Sequence, residues 1–241
     1  MILNYDKKFL IFLPWKTASS TLFTRLALYN HSPYSRFYDF NVHLKRVIHQ
    51  HLTVADFKGL PESKLELKKV AFIRNPYDRV YSGFLQIQKD LKEQPDMPFP
   101  EPWIRNHVLK QLAMNEHRLI QANYDFNAWV SLLQPEDIYQ IGGNSSLPIH
   151  PAHYWTHDTD EQYVNFIGKV ESFEEDFIRM LNFLGITNSY NMENSNVNLL
   201  QKEDTAFGYK YIDKMSADSV EKINRLFEKD FELFSYKKYQ P

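Results

Sequence analysis

The sequence predicts an α/β fold in three layers, with a central parallel sheet flanked by helices. Two apolar runs, at residues 9–13 and 68–73, each lead into a segment whose apolar residues recur at helical spacing. A third apolar run, at 163–168, is again followed by a helical pattern. Strands that alternate with helices favour a parallel sheet covered on both faces. A length of 241 residues predicts one enlarged domain.

The predicted helices follow from apolar residues that recur on one face. A Pro-rich stretch at 95–102 interrupts the pattern, and two helices are expected over 103–133, so about 95–135 is predicted to be a helical insertion within a single domain that spans 1–241. A helix over 171–184 should end at Gly185, and the last helix, over 216–235, should begin at Ser216. The residues that define the first two helices are Leu22, Leu26 and Tyr29, and Val80, Phe84, Ile87 and Leu91.

The composition excludes several classes of site. Lys and Arg number 28 against 30 Asp and Glu, so no overall basic excess indicates a nucleic-acid partner. The absence of cysteine excludes disulfides, thiolate metal sites and cysteine nucleophiles. With 7 glycines, the chain is also poor in the residue from which glycine-rich phosphate loops are built. Because the charges nearly balance over the whole chain, any anion-binding site must be built from a few residues at one place.

The N-terminal apolar run predicts a buried strand and not a membrane segment. Residues 9–13 are far shorter than the roughly 20 residues that span a bilayer. The run also lacks the basic start and the small-residue cleavage site of a signal peptide. We therefore expect a soluble, cytoplasmic protein with no transmembrane segment.

The segment Lys16-Thr17-Ala18-Ser19-Ser20-Thr21 directly follows the first predicted strand and opens the helix. Helix N-termini expose unpaired N–H groups and the positive end of the dipole, which stabilise anions. The hydroxyls add hydrogen-bond donors, and Lys16 adds a positive charge. The segment predicts a phosphate site built without glycine. The alternative is that Thr17 or Ser19 merely caps the helix.

A second segment, residues 70–82, runs from the next predicted strand into another helix. Pro76 is favourable in the first turn of that helix. Arg74, at the end of the strand, is placed for bidentate binding of a phosphate. Ser82, eight residues later, can contact the other side of the same group. The alternative is that Arg74 pairs with Asp78 or another carboxylate.

Together the two segments resemble the nucleotide-binding signatures of sulfotransferases that use 3′-phosphoadenosine 5′-phosphosulfate (PAPS). Residues 16–21 are similar to the family's P-K-T-x-S-T-like loop, and residues 74–82 to its R-N-P-x-x-R-x-x-S stretch. One departure is Trp15, which stands where the family usually has proline. The resemblance implies a P-loop NTPase-like sulfotransferase fold that needs no metal and binds PAPS at the carboxyl ends of the strands. It assigns the 5′-phosphosulfate to Lys16, Thr17, Ala18, Ser19, Ser20 and Thr21, and the 3′-phosphate to Arg74 and Ser82.

A His-x-His pair, His49 and His51, lies between the two segments. Alternate residues of an extended chain point to the same side, and a neutral histidine suits proton abstraction. The pair resembles that of the heparan and dermatan/chondroitin uronosyl 2-O-sulfotransferases. That resemblance makes His51 the catalytic base and His49 a helper or substrate contact. Sulfuryl transfer also needs a cation that stabilises the charge on the departing phosphate, and Lys16 fits this role. The alternatives are a zinc site, for which a third nearby ligand is missing, and two surface histidines without a role.

These observations predict an enzyme that transfers a sulfuryl group from PAPS to a hydroxyl, releasing 3′-phosphoadenosine 5′-phosphate (PAP). The expected partner is a glycan or a small hydroxyl compound, and the sequence predicts no oligomeric state. His150 and His153 resemble a family segment that can face the acceptor, and residues 194–202 fall where the family closes a loop over the nucleotide. The alternatives are an ATP-dependent kinase of a small molecule and a non-catalytic nucleotide- or glycan-binding protein.

Overall fold

The main sheet has four strands: β1 (Ile2–Asn4), β2 (Phe9–Phe12), β5 (Lys68–Ile73) and β8 (Phe166–Lys169). Their order in the sheet is β1-β2-β5-β8. The structure, a computed structural model, describes residues 1–34, 36–139, 147–186 and 209–240. Strands β2, β5 and β8 run parallel, as predicted, whereas β1 pairs antiparallel with β2. The sheet is therefore mixed and not purely parallel, because a tight turn joins β1 to β2 and leaves no length for a crossover.

The central strand β2 is buried on both faces. Phe9 and Ile11 belong to one apolar cluster, with residues of helices α1 (Ser19–Arg25) and α7 (Phe173–Leu184). Leu10 and Phe12 point the other way, into a cluster that includes helix α2 (Val54–Lys58). A strand buried on both faces reads as a continuous apolar run, which is what the sequence shows. The layered α/β architecture predicted from the sequence is confirmed.

A third apolar cluster, beside the sheet, joins five further helices. They are α3 (Pro76–Glu93), α4 (Pro102–Gln121), α5 (Phe126–Leu132), α8 (Ala217–Leu226) and α9 (Glu228–Leu233). The predicted helices at 103–133 are confirmed as α4 and α5, and Gly185 ends α7 in a left-handed conformation with φ 69°. The predicted last helix is wrong in one respect, because it is divided at Phe227 into α8 and α9. A further short helix is α6 (Pro135–Tyr139).

The predicted strand at 163–168 begins later than expected, at Phe166. The backbone N–H groups of Tyr163 and Val164 donate to the Thr156 carbonyl instead of the sheet. Two small hairpins complete the strands: β3 (Asp39–Asn41) with β4 (Arg46–Ile48), and β6 (His157–Asp158) with β7 (Glu161–Gln162). None of the helices in the described part of the chain combines the length and the apolar character needed to cross a bilayer.

Candidate active site

The carboxyl ends of the adjacent strands β2 and β5 open onto one cavity of about 440 Å³. Because β2 and β5 are parallel neighbours, the segments that follow them emerge at the same edge of the sheet. The cavity is lined by Lys16, Ala18, Ser19, Ser20 and Thr21 from the first segment, by Arg74 and Ser82 from the second, and by His49 and His51. The two segments and the His-x-His pair, distant in sequence, are thus brought together.

The loop after β2 is held in an unusual backbone conformation. Lys16 and Ala18 have φ angles of 61° and 62°, in the left-handed region that non-glycine residues rarely adopt. Thr17 lies between them, fully buried, and its hydroxyl donates to the Pro14 carbonyl at 2.9 Å. Thr17 does not line the cavity, so its predicted contribution of a hydroxyl to a phosphate does not fit this arrangement. Its side chain instead fixes the turn.

The Lys16 side chain reaches across the cavity to helix α3. Its Nζ donates to Gln86 Oε1 at 2.6 Å, and Gln86 Nε2 donates to Asp90 Oδ1 at 2.7 Å. Burial lowers the pKa of Lys16 to about 8, with Arg74 and Lys89 acting in the same direction and Asp90 opposing them. A lysine that bonds to a neutral amide and not to a carboxylate can be redirected to an anionic ligand without breaking an ion pair.

Arg74 and Ser82 are positioned by the start of helix α3. Asn75 caps this helix, since its side chain accepts the Asp78 N–H at 2.8 Å, and Pro76 occupies the first turn as predicted. Ser82 lies on the cavity side of the second turn. The Arg74 side chain is largely buried, with its guanidinium 6.0 Å from the centre of the Tyr211 ring. No local pattern marks Tyr211 as part of the site.

The predicted alternative, that Arg74 pairs with Asp78, is realised only weakly. Arg74 Nη2 is 3.9 Å from Asp78 Oδ2, at the outer limit of an ion pair. The Asp78 carboxylate also receives the Asn75 side-chain amide at 2.9 Å and the backbone N–H groups of Lys210 and Tyr211 at 3.2 and 3.0 Å. Asp78 therefore ties the start of α3 to the segment at 209–211 and leaves Arg74 with most of its donors.

The two histidines carry their protons on different nitrogens. His51 Nδ1 is 2.6 Å from the Leu13 carbonyl, and because a carbonyl only accepts, the proton is on Nδ1 and the lone pair on Nε2. His49 Nδ1 accepts the His51 N–H at 3.1 Å, which leaves the proton of the neutral ring on Nε2. His51 therefore offers a basic nitrogen, and His49 offers a donor.

Burial keeps both imidazoles neutral. It lowers the pKa of His49 to about 4, and it lowers the pKa of His51 well below its ordinary value, with His49 adding to the effect. The His51 ring stacks on Trp15, with ring centres 3.8 Å apart, and the His51 carbonyl accepts the Trp155 Nε1–H at 3.3 Å. Trp15, the departure from the resembled motif, thus orients the candidate base.

Sequence reasoning missed Gln86, Asp90 and Tyr38, all of which line the cavity. Gln86 and Asp90 follow Ser82 at intervals of four residues on α3, so one helical face carries all three, and that spacing could have revealed them. Tyr38 precedes β3. Its ring is 5.5 Å from that of His49, and its hydroxyl donates to Gln94 Oε1 at 3.3 Å. No local pattern marks Tyr38.

His150 and His153 do not reach this cavity. His150 Nδ1 donates to the Ile138 carbonyl at 2.6 Å, and His153 is held by Asp230, whose carboxylate is 2.7 Å from His153 Nδ1. Their predicted role at the acceptor is replaced by a structural one. Residues 194–202, expected to close over the nucleotide, lie outside the described residues. In the described ranges, no group of three or more histidine and carboxylate side chains is arranged to hold a metal ion.

The sequence profile of the sulfotransferase family matches residues 2–237, nearly the whole chain. No curated protein and no solved structure matched the chain. A match of this extent includes both strand-to-helix segments, the His-x-His pair and the sheet that carries them. The chain belongs to the sulfotransferase family.

Proposed function

We propose that the protein transfers the sulfuryl group of PAPS to a hydroxyl of a carbohydrate acceptor, with His51 as the general base. The observation that carries the proposal is that Lys16, Arg74, Ser82 and His51 line one cavity. Its volume of about 440 Å³ is within the range of small-molecule sites. The sulfotransferase family of the chain supports a sulfuryl donor of this kind.

In this proposal the two strand-end segments hold the two ends of the donor. Arg74 and Ser82 bind the 3′-phosphate, because Arg74 keeps most of its donors free of Asp78. Lys16 and the hydroxyls of Ser19, Ser20 and Thr21 bind the 5′-phosphosulfate, in the manner of a P-loop NTPase-like fold without its glycines. Helix α1 has only 7 residues, so the lysine and the hydroxyls contribute more to this end than a helix dipole does.

The proposed reaction is an in-line displacement at sulfur. His51 Nε2 takes the proton of the acceptor hydroxyl as its oxygen forms a bond to sulfur, and the bond between sulfur and the bridging oxygen of the 5′-phosphate breaks. The electron pair of that bond stays on the departing phosphate oxygen, where protonated Lys16 stabilises the charge. Gln50 Nε2, 3.2 Å from His51 Nε2, marks the position that the acceptor hydroxyl takes.

A transfer assay with radiolabelled PAPS and a panel of hydroxyl acceptors tests the proposal. Wild-type protein should bind PAP and transfer label. Arg74→Ala should lose PAP affinity by roughly a hundredfold, since a charge-assisted bidentate contact is removed. His51→Asn should keep PAP affinity but slow turnover by about 10²–10⁴-fold. Protein that folds but binds no PAP would rule the proposal out.

The same variants separate the two alternatives. A kinase would bind ATP with magnesium more tightly than PAP, and Arg74→Ala would leave that affinity unchanged. A non-catalytic binding protein would bind PAP without transferring label to any acceptor. Lys64→Ala, which changes an exposed lysine outside the cavity, serves as the matched control for all these measurements.

A further inference from the structure

A row of side chains on helix α3 meets Lys16 inside the cavity. Ser82, Gln86 and Asp90 follow one another at intervals of four residues, so they lie along one face of the helix, and all three line the cavity. Lys16 Nζ donates to Gln86 Oε1 at 2.6 Å, and Gln86 Nε2 donates to Asp90 Oδ1 at 2.7 Å. The side chain of Gln86 thus connects the ammonium of Lys16 to a carboxylate.

The amide of Gln86 has one favourable orientation between these two partners. An ammonium only donates hydrogen bonds, and an ionised carboxylate only accepts them. The amide oxygen must therefore point to Lys16 and the amide nitrogen to Asp90, as the two bonds show. Hydrogen bonds in such a chain polarise one another. The proton on Lys16 and the negative charge on Asp90 consequently stabilise each other through Gln86.

The Asp90 carboxylate is held from its other side as well. The side chain of Gln94 hydrogen bonds to Asp90, and Tyr38 donates to Gln94 Oε1 at 3.3 Å. Burial raises the pKa of Asp90, whereas the hydrogen bonds from Gln86 and Gln94 and the charge of Lys16 lower it. Hydrogen bonds donated to a carboxylate favour its ionised form. The negative charge is therefore fixed at one place on α3, with Gln86 between it and Lys16.

The charges around Lys16 act on its proton in opposite directions. Burial lowers the pKa of Lys16 to about 8, Asp90 raises it, and Arg74 and Lys89 lower it further. Without the charge of Asp90, Lys16 would face these two cations and lose the carboxylate that opposes them. The ionisable groups that act on Lys16 or Asp90 in the described part of the cavity are His51, Arg74, Lys89, Glu93 and Tyr38.

We propose that Gln86 and Asp90 are positioning residues for Lys16: Gln86 aims the ammonium across the cavity, and Asp90, acting through Gln86, keeps the proton on it. The inference rests on the proposed sulfuryl transfer, in which protonated Lys16 stabilises the departing phosphate oxygen, and it adds two residues to that site. The link through a neutral amide leaves the ammonium able to turn towards an anion, because a bond to an amide is weaker than a bond to a carboxylate.

A pH titration of Lys16 tests the inference without any nucleotide. It is followed by NMR at the isotope-labelled Cε next to the ammonium, and Lys16→Arg assigns the signal by removing it. The wild-type side chain should titrate with a pKa of about 8. Asp90→Asn, which keeps the shape of the side chain, should lower this pKa by about one pH unit, because Arg74 and Lys89 then act unopposed. Gln86→Glu should raise it by about one pH unit, because a carboxylate then contacts the ammonium directly.

The binding of PAP by the same variants separates positioning from a merely structural role. In Asp90→Asn the fall in PAP affinity with rising pH should begin about one pH unit lower than in the wild type. Gln86→Glu should bind PAP about tenfold more weakly at pH 7, because Lys16 must leave an ion pair, and its affinity should change less between pH 7 and 9. Glu66→Gln removes an exposed carboxylate outside the cavity and should match the wild type in both measurements.

Three results would overturn the inference alone. They are an unchanged pKa of Lys16 in Asp90→Asn, a lowered pKa of Lys16 in Gln86→Glu, and a change in Glu66→Gln as large as that in Asp90→Asn, which would indicate an effect of net charge. Wild-type protein in which Lys16 titrates as expected but which binds no PAP would overturn the proposed function, and the link between Asp90 and Lys16 would stand.

Discussion

Raising the pH from 7 to 9 should weaken the binding of PAP, because Lys16 loses its proton in this range. Burial lowers the pKa of Lys16 to about 8, Arg74 and Lys89 lower it further, and Asp90 opposes them. With a pKa of about 8, the protonated fraction of Lys16 falls from about nine-tenths at pH 7 to about one-tenth at pH 9. A bound phosphate favours the protonated form, so the affinity should fall about tenfold over these two pH units.

Titration calorimetry in buffers of different ionisation enthalpy measures both the affinity and the protons taken up. Uptake should rise from about 0.1 proton per PAP at pH 7 to about 0.9 at pH 9. The phosphates of PAP titrate near pH 6 and are already ionised in this window. Lys16→Arg keeps its charge throughout and should bind with an affinity independent of pH. Lys64→Arg, at an exposed site outside the cavity, should keep the pH dependence of the wild type.

Two results would refute this reasoning. A constant affinity without proton uptake between pH 7 and 9 would mean that Lys16 does not meet the nucleotide. The wild-type slope in Lys16→Arg would mean that another group takes up the proton.

Three further predictions concern stability and the orientation of the base. Asp230→Asn should destabilise the protein by about 3 kcal/mol in urea unfolding, because it leaves the buried Arg79 without its counter-charge at 2.6 Å. A loss of unfolding free energy below about 1 kcal/mol would contradict this, as would an equal loss in Asp96→Asn, which changes an exposed residue. Burial raises the pKa of Asp230, but Arg79 and His153 outweigh burial and hold this pKa at about 2. The stability that ionised Asp230 contributes is therefore present above the ordinary aspartate pKa. It should be lost as the pH falls from about 4 towards 2. Gly83→Ala should lower the free energy of unfolding by about 2 kcal/mol, because a Cβ would lie 2.3 Å from Ile149 Cγ2 and 2.9 Å from the Pro148 carbonyl oxygen. Helix propensity alone predicts the opposite, a gain of stability, and such a gain would refute the packing argument. Trp15→Leu should slow single-turnover transfer of the sulfuryl group about tenfold and leave the affinity for PAP unchanged, because it removes the ring that stacks on His51. An unchanged rate would show that the stack does not orient the base.

The parts of the site that depend on local order could be predicted from the sequence. Lys16 and Arg74 each follow a strand directly, and parallel strands bring such segments to one edge. The alternation of His49 and His51 likewise predicted that both would face the same region, and their rings lie 5.1 Å apart. These inferences needed only the chain order of strand, loop and helix.

The parts of the site that depend on the path of the chain between helices and strands could not be predicted from the sequence. The Thr17 hydroxyl turns inward because its neighbours Lys16 and Ala18 adopt left-handed backbone conformations, which no letter of the sequence signals in the absence of glycine. Tyr38 reaches His49 only through the hairpin of β3 and β4. Arg79, the second arginine of the 74–82 segment, is fully buried against Asp230, a position that the spacing of the segment does not reveal.

The two strand-end cations, Lys16 and Arg74, lack close counter-charges among the described residues. Lys16 bonds to the neutral amide of Gln86, and Arg74 stands 3.9 Å from a carboxylate that other donors already occupy. Partly desolvated charges held in this way destabilise the empty protein, and an anion that binds both relieves that cost. The arrangement that makes Lys16 easy to deprotonate is therefore the one that favours a doubly phosphorylated ligand. Stability should accordingly rise with PAP concentration as mass action requires, and more steeply at pH 7 than at pH 9, since only protonated Lys16 gains a counter-charge.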